Sequence, residues 1–243
     1  MQKKQPMLEI AVFNIGSAIT AEKAGADRIE LCENPADGGT TPSYGTLKIV
    51  KEKIRIPVFP IIRPRAGDFL FSAEEFAVMQ KDISLCKELG YEGVVIGLLH
   101  EDGTVDEART SALVQIAYPM EVSFHRAFDR AKNPMDSLET LIRCGCERIL
   151  TSGQTAQAWD GRDLIKALIE KANNRITIMP GSGIRSNNIR ELTNYTGAVE
   201  LHSSARKMVA SPMKFTVASM NEMLENVEVD ALEIKKMKTA LEK

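Results

Sequence analysis

Two of the three histidines close short apolar runs: His125 follows Val122-Ser-Phe and His202 follows Val199-Glu-Leu. A histidine at such an end can move a proton near neutral pH when a carboxylate lies within reach. Asp129 stands four residues after His125, and Glu30 lies in Arg28-Ile-Glu-Leu-Cys32. Glu30, His125, Asp129 and His202 are therefore the candidate acid–base set. Arg63-Pro-Arg-Ala-Gly-Asp68 places two arginines around a proline, a rigid cationic rim suited to carboxylate or phosphate. Pairing of these arginines with Glu33, Asp37 or Asp68 is the alternative. Met179-Pro-Gly-Ser-Gly-Ile184 offers unobstructed backbone N–H groups, and Thr151-Ser-Gly153 adds hydroxyls. The candidate anion-binding residues are thus Arg63, Arg65, Ser152, Gly153, Gly181 and Gly183.

Soft-metal chemistry has fewer candidates. Cys144-Gly-Cys146 could hold an ion such as Cu(I), but it lacks the further ligands of a closed zinc site. It also falls between a helix and the next strand, away from the histidines. Cys86 lies on the apolar face of a helix and belongs to the core. Cys32 is the one cysteine placed to meet His125 or His202, so it is the candidate metal ligand. The residues themselves name no cofactor, and its identity is left open.

These residues need a scaffold that brings eight chain segments to one place. Apolar runs at 8–13, 28–32, 57–62, 93–97, 120–125, 148–151, 176–179 and 198–202 alternate with helical patterns. Helix starts are marked by the capping box Ser72-Ala-Glu-Glu75, by Asn133-Pro134 and by Ser186; Gly25, Gly90 and Gly145 mark ends. Eight strand–helix units predict an α/β fold: a single (β/α)8 TIM barrel over residues 1–243, with an amphipathic helical tail from about residue 219. A doubly wound open sheet is the alternative, but the first strand lacks a glycine-rich phosphate turn. Alternation within each run sends Glu30, Arg63, His125, Glu200 and His202 inward, together with Glu9, Arg28 and Arg148. The last three come early in their strands and predict a structural ion network. Glu30, Arg63, His125 and His202 come late and predict a site at the C-terminal mouth.

The formal net charge is −2, which gives no footprint for nucleic acid or an anionic membrane. No apolar run approaches the ~20 residues of a membrane span. Four cysteines behind an N-terminus without an apolar stretch predict reduced thiols and a cytoplasmic location.

Several motifs occur together and in order: Arg28-Ile-Glu-Leu-Cys-Glu33, Asp37-Gly-Gly-Thr-Thr-Pro-Ser43, Ile61-Ile-Arg-Pro-Arg-Ala-Gly-Asp-Phe69, Phe124-His-Arg-Ala-Phe-Asp129, Ile149-Leu-Thr-Ser-Gly153 and Met179-Pro-Gly-Ser-Gly183. In these the chain resembles the CutC family over nearly its whole length. The resemblance implies a cytoplasmic TIM barrel, a homo-oligomer with a dimer favoured, and a part in copper homeostasis, with copper ion as a binding partner. It also implies a copper-binding cysteine pair that falls here at Ala11 and Cys32, so one thiol is missing. Ser203 stands where many relatives have cysteine. Two functions therefore follow from the sequence. One is a copper-homeostasis protein. The other is an enzyme acting on a small anionic molecule, phosphorylated or carboxylated, with Arg63 and Arg65 as clamp, His125 as acid–base and Glu30 as its partner.

Overall fold

The structure is a computed structural model that describes residues 6–242. Eight parallel strands alternate with eight helices. The strands are β1 (Met7–Val12), β2 (Arg28–Leu31), β3 (Val58–Pro60), β4 (Gly93–Ile96), β5 (Glu121–Phe124), β6 (Arg148–Thr151), β7 (Thr177–Pro180) and β8 (Glu200–Ser203). The helices are α1 (Ile15–Ala24), α2 (Tyr44–Lys53), α3 (Ala73–Glu88), α4 (Glu107–Ala117), α5 (Pro134–Cys144), α6 (Arg162–Ala172), α7 (Ile189–Thr196) and α8 (Ala231–Leu241). Two four-stranded arcs, β3-β2-β1-β8 and β4-β5-β6-β7, carry the ladders. Ile61 and Val95 bridge one seam in parallel, and β7 lies beside β8 at the other, which closes a (β/α)8 barrel.

Local chemistry explains the boundaries. Ser72 and Glu75 form the reciprocal capping box at α3, and the Asn133 side chain caps α5. Gly25 and Gly145 end their helices in the left-handed region that glycine adopts most readily. Ser186 does not cap α7: Asn188 holds that position, and Ser186 bonds Glu233 instead.

The tail also departs from expectation. Residues after β8 form an antiparallel hairpin, β9 (Arg206–Val209) with β10 (Asn226–Val229), joined by a long exposed excursion. Helix α8 starts only at Ala231, where the Asp230 side chain caps it. Ile234 and Met237 are buried where α8 packs against α1 and α7. Val227 and Met223 fit a helical stripe in sequence, which is why the pattern from 219 predicts helix. Val227 is in fact paired in a strand, and Met223 is exposed.

Strand register sets the interior. Glu9 lies opposite Arg28 on one side and His202 on the other, so one barrel layer holds all three. The Arg28 Nε donates to Glu9 at 2.5 Å, and its Nη2 donates to Glu200 at 2.5 Å. Arg148 joins Glu200 at 2.8 Å and Glu121 at 2.6 Å. Phe59 lies beneath both guanidinium groups, at 5.0 and 5.3 Å. The structural network read from Glu9, Arg28 and Arg148 is thus present, and Glu200 is its hub.

Removing one partner of a buried ion pair strands the other, at about 3–5 kcal/mol. Arg28→Met, similar in length but uncharged, leaves Glu9 and Glu200 facing each other. Urea unfolding should show a loss of about that size, whereas exposed Arg143→Met should cost under about 1 kcal/mol.

Candidate functional site

One cavity of about 310 Å³ opens at the C-terminal ends of the strands. Glu30, Arg63, His125, Gly183 and His202 all line it, delivered by β2, β3, β5, β7 and β8. Ala11, opposite Glu30 in the β1–β2 ladder, leaves room in front of that carboxylate.

The proton-handling groups form a line. His202 Nδ1 lies 2.7 Å from Glu9, and its Nε2 lies 3.7 Å from Glu30. Burial alone would lower the His202 pKa, but the Glu9 hydrogen bond and the Glu30 charge outweigh it, and the ring is pushed above the ordinary histidine range. Burial likewise opposes ionisation of Glu9, yet Arg28 and His202 hold its carboxylate down at about 2. Glu30 has weaker help, from the His202 charge and a Cys32 hydrogen bond, and the Glu9 charge opposes it. Burial raises its pKa to about 7, which places a carboxylic acid at its midpoint near neutral pH.

His125 differs. Its Nδ1 accepts the Ala127 N–H at 3.1 Å. Its ring rests on Gly97, where an added Cβ would lie 2.2 Å from the imidazole, so only glycine fits. Burial, and then the Arg63 charge, push the ring down to about 3. His125 is therefore neutral at physiological pH. Of the two histidines, His202 is the one paired with carboxylates and raised, so an acid–base role expected of His125 is not supported by its surroundings.

The anion-binding set is divided. Arg63 donates to three carbonyl oxygens, those of Asp37, Gly39 and Gly67, and so keeps its full charge at the cavity. Arg65 does not join it. It pairs with Asp68 at 2.9 Å and Glu75 at 2.6 Å and fastens the loop to the start of α3. Asp129 accepts from Thr151, from the Ser152 N–H and hydroxyl, and from the Gln154 N–H, and it pairs with Arg126. It is the clamp of the loop after β6, and it does not touch His125. Ser152 and Gly153 belong to that clamped loop and do not line the cavity. Gly181 lies behind the wall, where a Cβ would strike Leu150 at 2.4 Å.

Three arginines at the cavity escaped the sequence reading: Arg126, Arg185 and Arg206. Arg126 lies inside the Phe124–Asp129 motif and Arg185 directly follows Ile184, but type and spacing in a loop say nothing about where a side chain turns. With Arg63 they make four arginines around one lining carboxylate, Glu30.

Cys32 is buried beneath the cavity with Phe59, Ile61 and Val95. Burial and then the Glu30 charge push its thiol well above the ordinary range. Cys86, Cys144 and Cys146 are buried elsewhere as free thiols. Among the described residues, no group of three or more His, Cys, Asp or Glu side chains could hold a metal ion. None of the described helices is long and apolar enough to cross a membrane.

These features define a (β/α)8 barrel with a polar site at the mouth where such barrels carry their chemistry. A model of the CutC family matches residues 6–207, and the chain belongs to that family. A relative from Chromobacterium violaceum, named as a family protein CutC, is 45% identical over 98% of each chain. A human relative, named copper homeostasis protein cutC homolog, is 49% identical over 88% of this chain and 78% of its own. The solved structure of CutC from Streptococcus agalactiae superposes with a TM-score of 0.79 at 33% identity, covering 82% of this chain and 98% of that one.

The raised Glu30 carboxyl has a readable consequence. The folded protein binds that proton more tightly than the unfolded chain does. The associated stability is therefore fully present below about pH 4.5 and falls as pH rises towards 7. Glu9 acts in the opposite sense, losing its share as pH falls towards 2. His202, raised, loses its share as pH climbs. Infrared difference spectra between the parent and Glu30→Gln should show one carboxyl titrating near pH 7. Urea unfolding should show the parent losing stability relative to Glu30→Gln between pH 5 and 8. A carboxyl already ionised at pH 5 contradicts the assignment.

Proposed function

We propose that this chain serves in copper homeostasis, the role in its human relative's name, through acid–base chemistry on a small anionic molecule at the barrel mouth. The observation that carries the chemical part is the Glu9–His202–Glu30 line facing four arginines in one cavity. Glu30, near its midpoint, exchanges a proton with the bound molecule, and His202 holds the charge balance behind it. Arg63, Arg185 and Arg206 oppose the ligand's negative charge, each charge-assisted hydrogen bond contributing roughly 1.5–3 kcal/mol, whereas Arg126 is already paired with Asp129. Ser182 and Gly183 border the same space.

Copper as a thiolate-bound cargo is the weaker reading. Tight Cu(I) binding normally needs converging soft ligands. Cys32 has Ala11 where the family's second thiol would stand, and its proton is held firmly. The proposal therefore ties the copper role to the chemistry of the mouth. We place the protein in the cytoplasm, with neither nucleic acid nor membrane as partner. A homodimer completes the reading, supported by the exposed Met213, Phe215 and Met223 of the β9–β10 excursion. Sedimentation should give twice the chain mass, and a monomer at micromolar concentration refutes the dimer.

Copper tolerance of cells lacking their own family member tests the function. The parent chain and Cys32→Ser should restore growth in copper, and Glu30→Gln should fail. A parent without effect overturns the copper role. Restoration by Glu30→Gln with failure of Cys32→Ser overturns the chemistry of the mouth in favour of a thiolate.

A further inference from the structure

Two buried donors on residues lining the cavity have no acceptor: Arg63 Nε and His125 Nε2. Folded proteins rarely leave buried donors unpaired, and an orphan at a cavity points to a ligand atom. The other donors and acceptors of both side chains are held in place. Arg63 is fixed by its three carbonyl partners, and His125 by the Ala127 N–H and by Gly97. Both groups also pack on Phe69, the guanidinium at 5.1 Å and the imidazole at 4.8 Å between centroids.

The hydrogen bond to Nδ1 settles the tautomer. A ring nitrogen that accepts carries no proton, so the proton of the neutral imidazole sits on Nε2. Because the ring stays neutral, Nε2–H is a permanent donor and does not carry protons. A neutral imidazole beside a cation suits an oxygen that gains negative charge during reaction, because such donors need no reorganisation when the charge appears.

We propose that Arg63 Nε–H and His125 Nε2–H stabilise the carbonyl oxygen of an anionic α-hydroxy carbonyl compound, whose α-proton Glu30 removes. This deepens the acid–base reading above and rests on it. In the step, the α C–H bond breaks and its electron pair becomes the C=C bond of an enediolate. The carbonyl π pair moves to the oxygen held by the two donors, and the proton goes to the Glu30 carboxylate. Glu30 returns the proton to the former carbonyl carbon, and the hydroxyl proton moves to the former carbonyl oxygen. The net reaction is an isomerisation that needs no oxidant, reductant or co-reactant. The arginines opposite hold the anionic end of the molecule, and a cavity of about 310 Å³ suits a compound of a few carbons with one such group.

Phosphoglycolohydroxamate copies a planar enediolate with a phosphate end, whereas inorganic phosphate offers the anion alone. Titration calorimetry on the full chain should show phosphate binding and the hydroxamate binding roughly a hundredfold tighter or more. The His125 Nε2–H resonance should move downfield with hydroxamate only. His125→Asn keeps an acceptor for the Ala127 N–H but removes the Nε2–H. It should lose most of the hydroxamate advantage, by roughly a hundredfold, with phosphate affinity unchanged. Arg63→Lys, which keeps the charge and loses Nε, should act in the same direction. Phosphate binding without a hydroxamate advantage in the parent overturns the carbonyl inference and leaves the anion site standing. Binding of neither overturns both readings. Equal losses of both ligands in His125→Asn overturn the role given to His125.

Discussion

A row of alternating charges runs through the barrel interior, and the mouth depends on it. It begins at Glu121, half exposed at the start of β5, and passes through Arg148, Glu200, Arg28, Glu9 and His202 to Glu30. Inside a protein each such charge must be matched, because water is absent. Matching proceeds from one member to the next. Glu9 gives one oxygen to Arg28 and the other to His202, which keeps Glu9 ionised and raises the imidazole pKa. The last carboxylate has a shared histidine at 3.7 Å and a weak thiol donor, Cys32, with nearly full burial against it. Glu30 is the residue on which the imbalance falls, and its raised pKa is that imbalance expressed as chemistry.

The cations at the rim follow a complementary rule. A guanidinium paired with a carboxylate is neutralised as a pair, and Arg65 illustrates this with Asp68 and Glu75. Arg63 is held by carbonyl oxygens and by the face of Phe69, which orient it without cancelling its charge. Two arginines two residues apart thus serve opposite ends: one fastens the loop, and the other presents positive charge to the cavity. The proline between them fixes the backbone but leaves the side-chain directions to the neighbours.

Much of this was legible in the sequence, because barrel strands obey a period of two. Glu30, His125 and His202 had to face inward once Ile29, Leu31, Val122, Phe124 and Leu201 were assigned to the helix layer. Loops have no such period. Arg65 and Asp129 looked like site residues by type and spacing, yet each holds loop structure together, Arg65 through the capping-box residue Glu75 and Asp129 through Thr151 and Ser152 of the loop after β6. Arg185 and Arg206 went unread for the same reason. The tail failed differently: a helical stripe over residues 219–241 is compatible with a strand from 226 to 229, and the antiparallel partner 206–209 decided the matter.

An ionic interior is a poor way to stabilise a barrel. Branched apolar residues fill such interiors with less desolvation, and buried ion pairs replaced by well-packed apolar groups are often neutral or favourable. Packing alone therefore does not account for Arg28, Arg148, Glu9 and Glu200. What the ionic layers do, and apolar layers cannot, is hold beneath Glu30 a buried histidine whose pKa is raised rather than lowered. Without Glu9 the buried His202 would lose the hydrogen bond that raises its pKa against burial, and without Arg28 Glu9 would itself resist ionisation. The bottom of the barrel is thus part of the site at its mouth, joined to it by electrostatics across four strands.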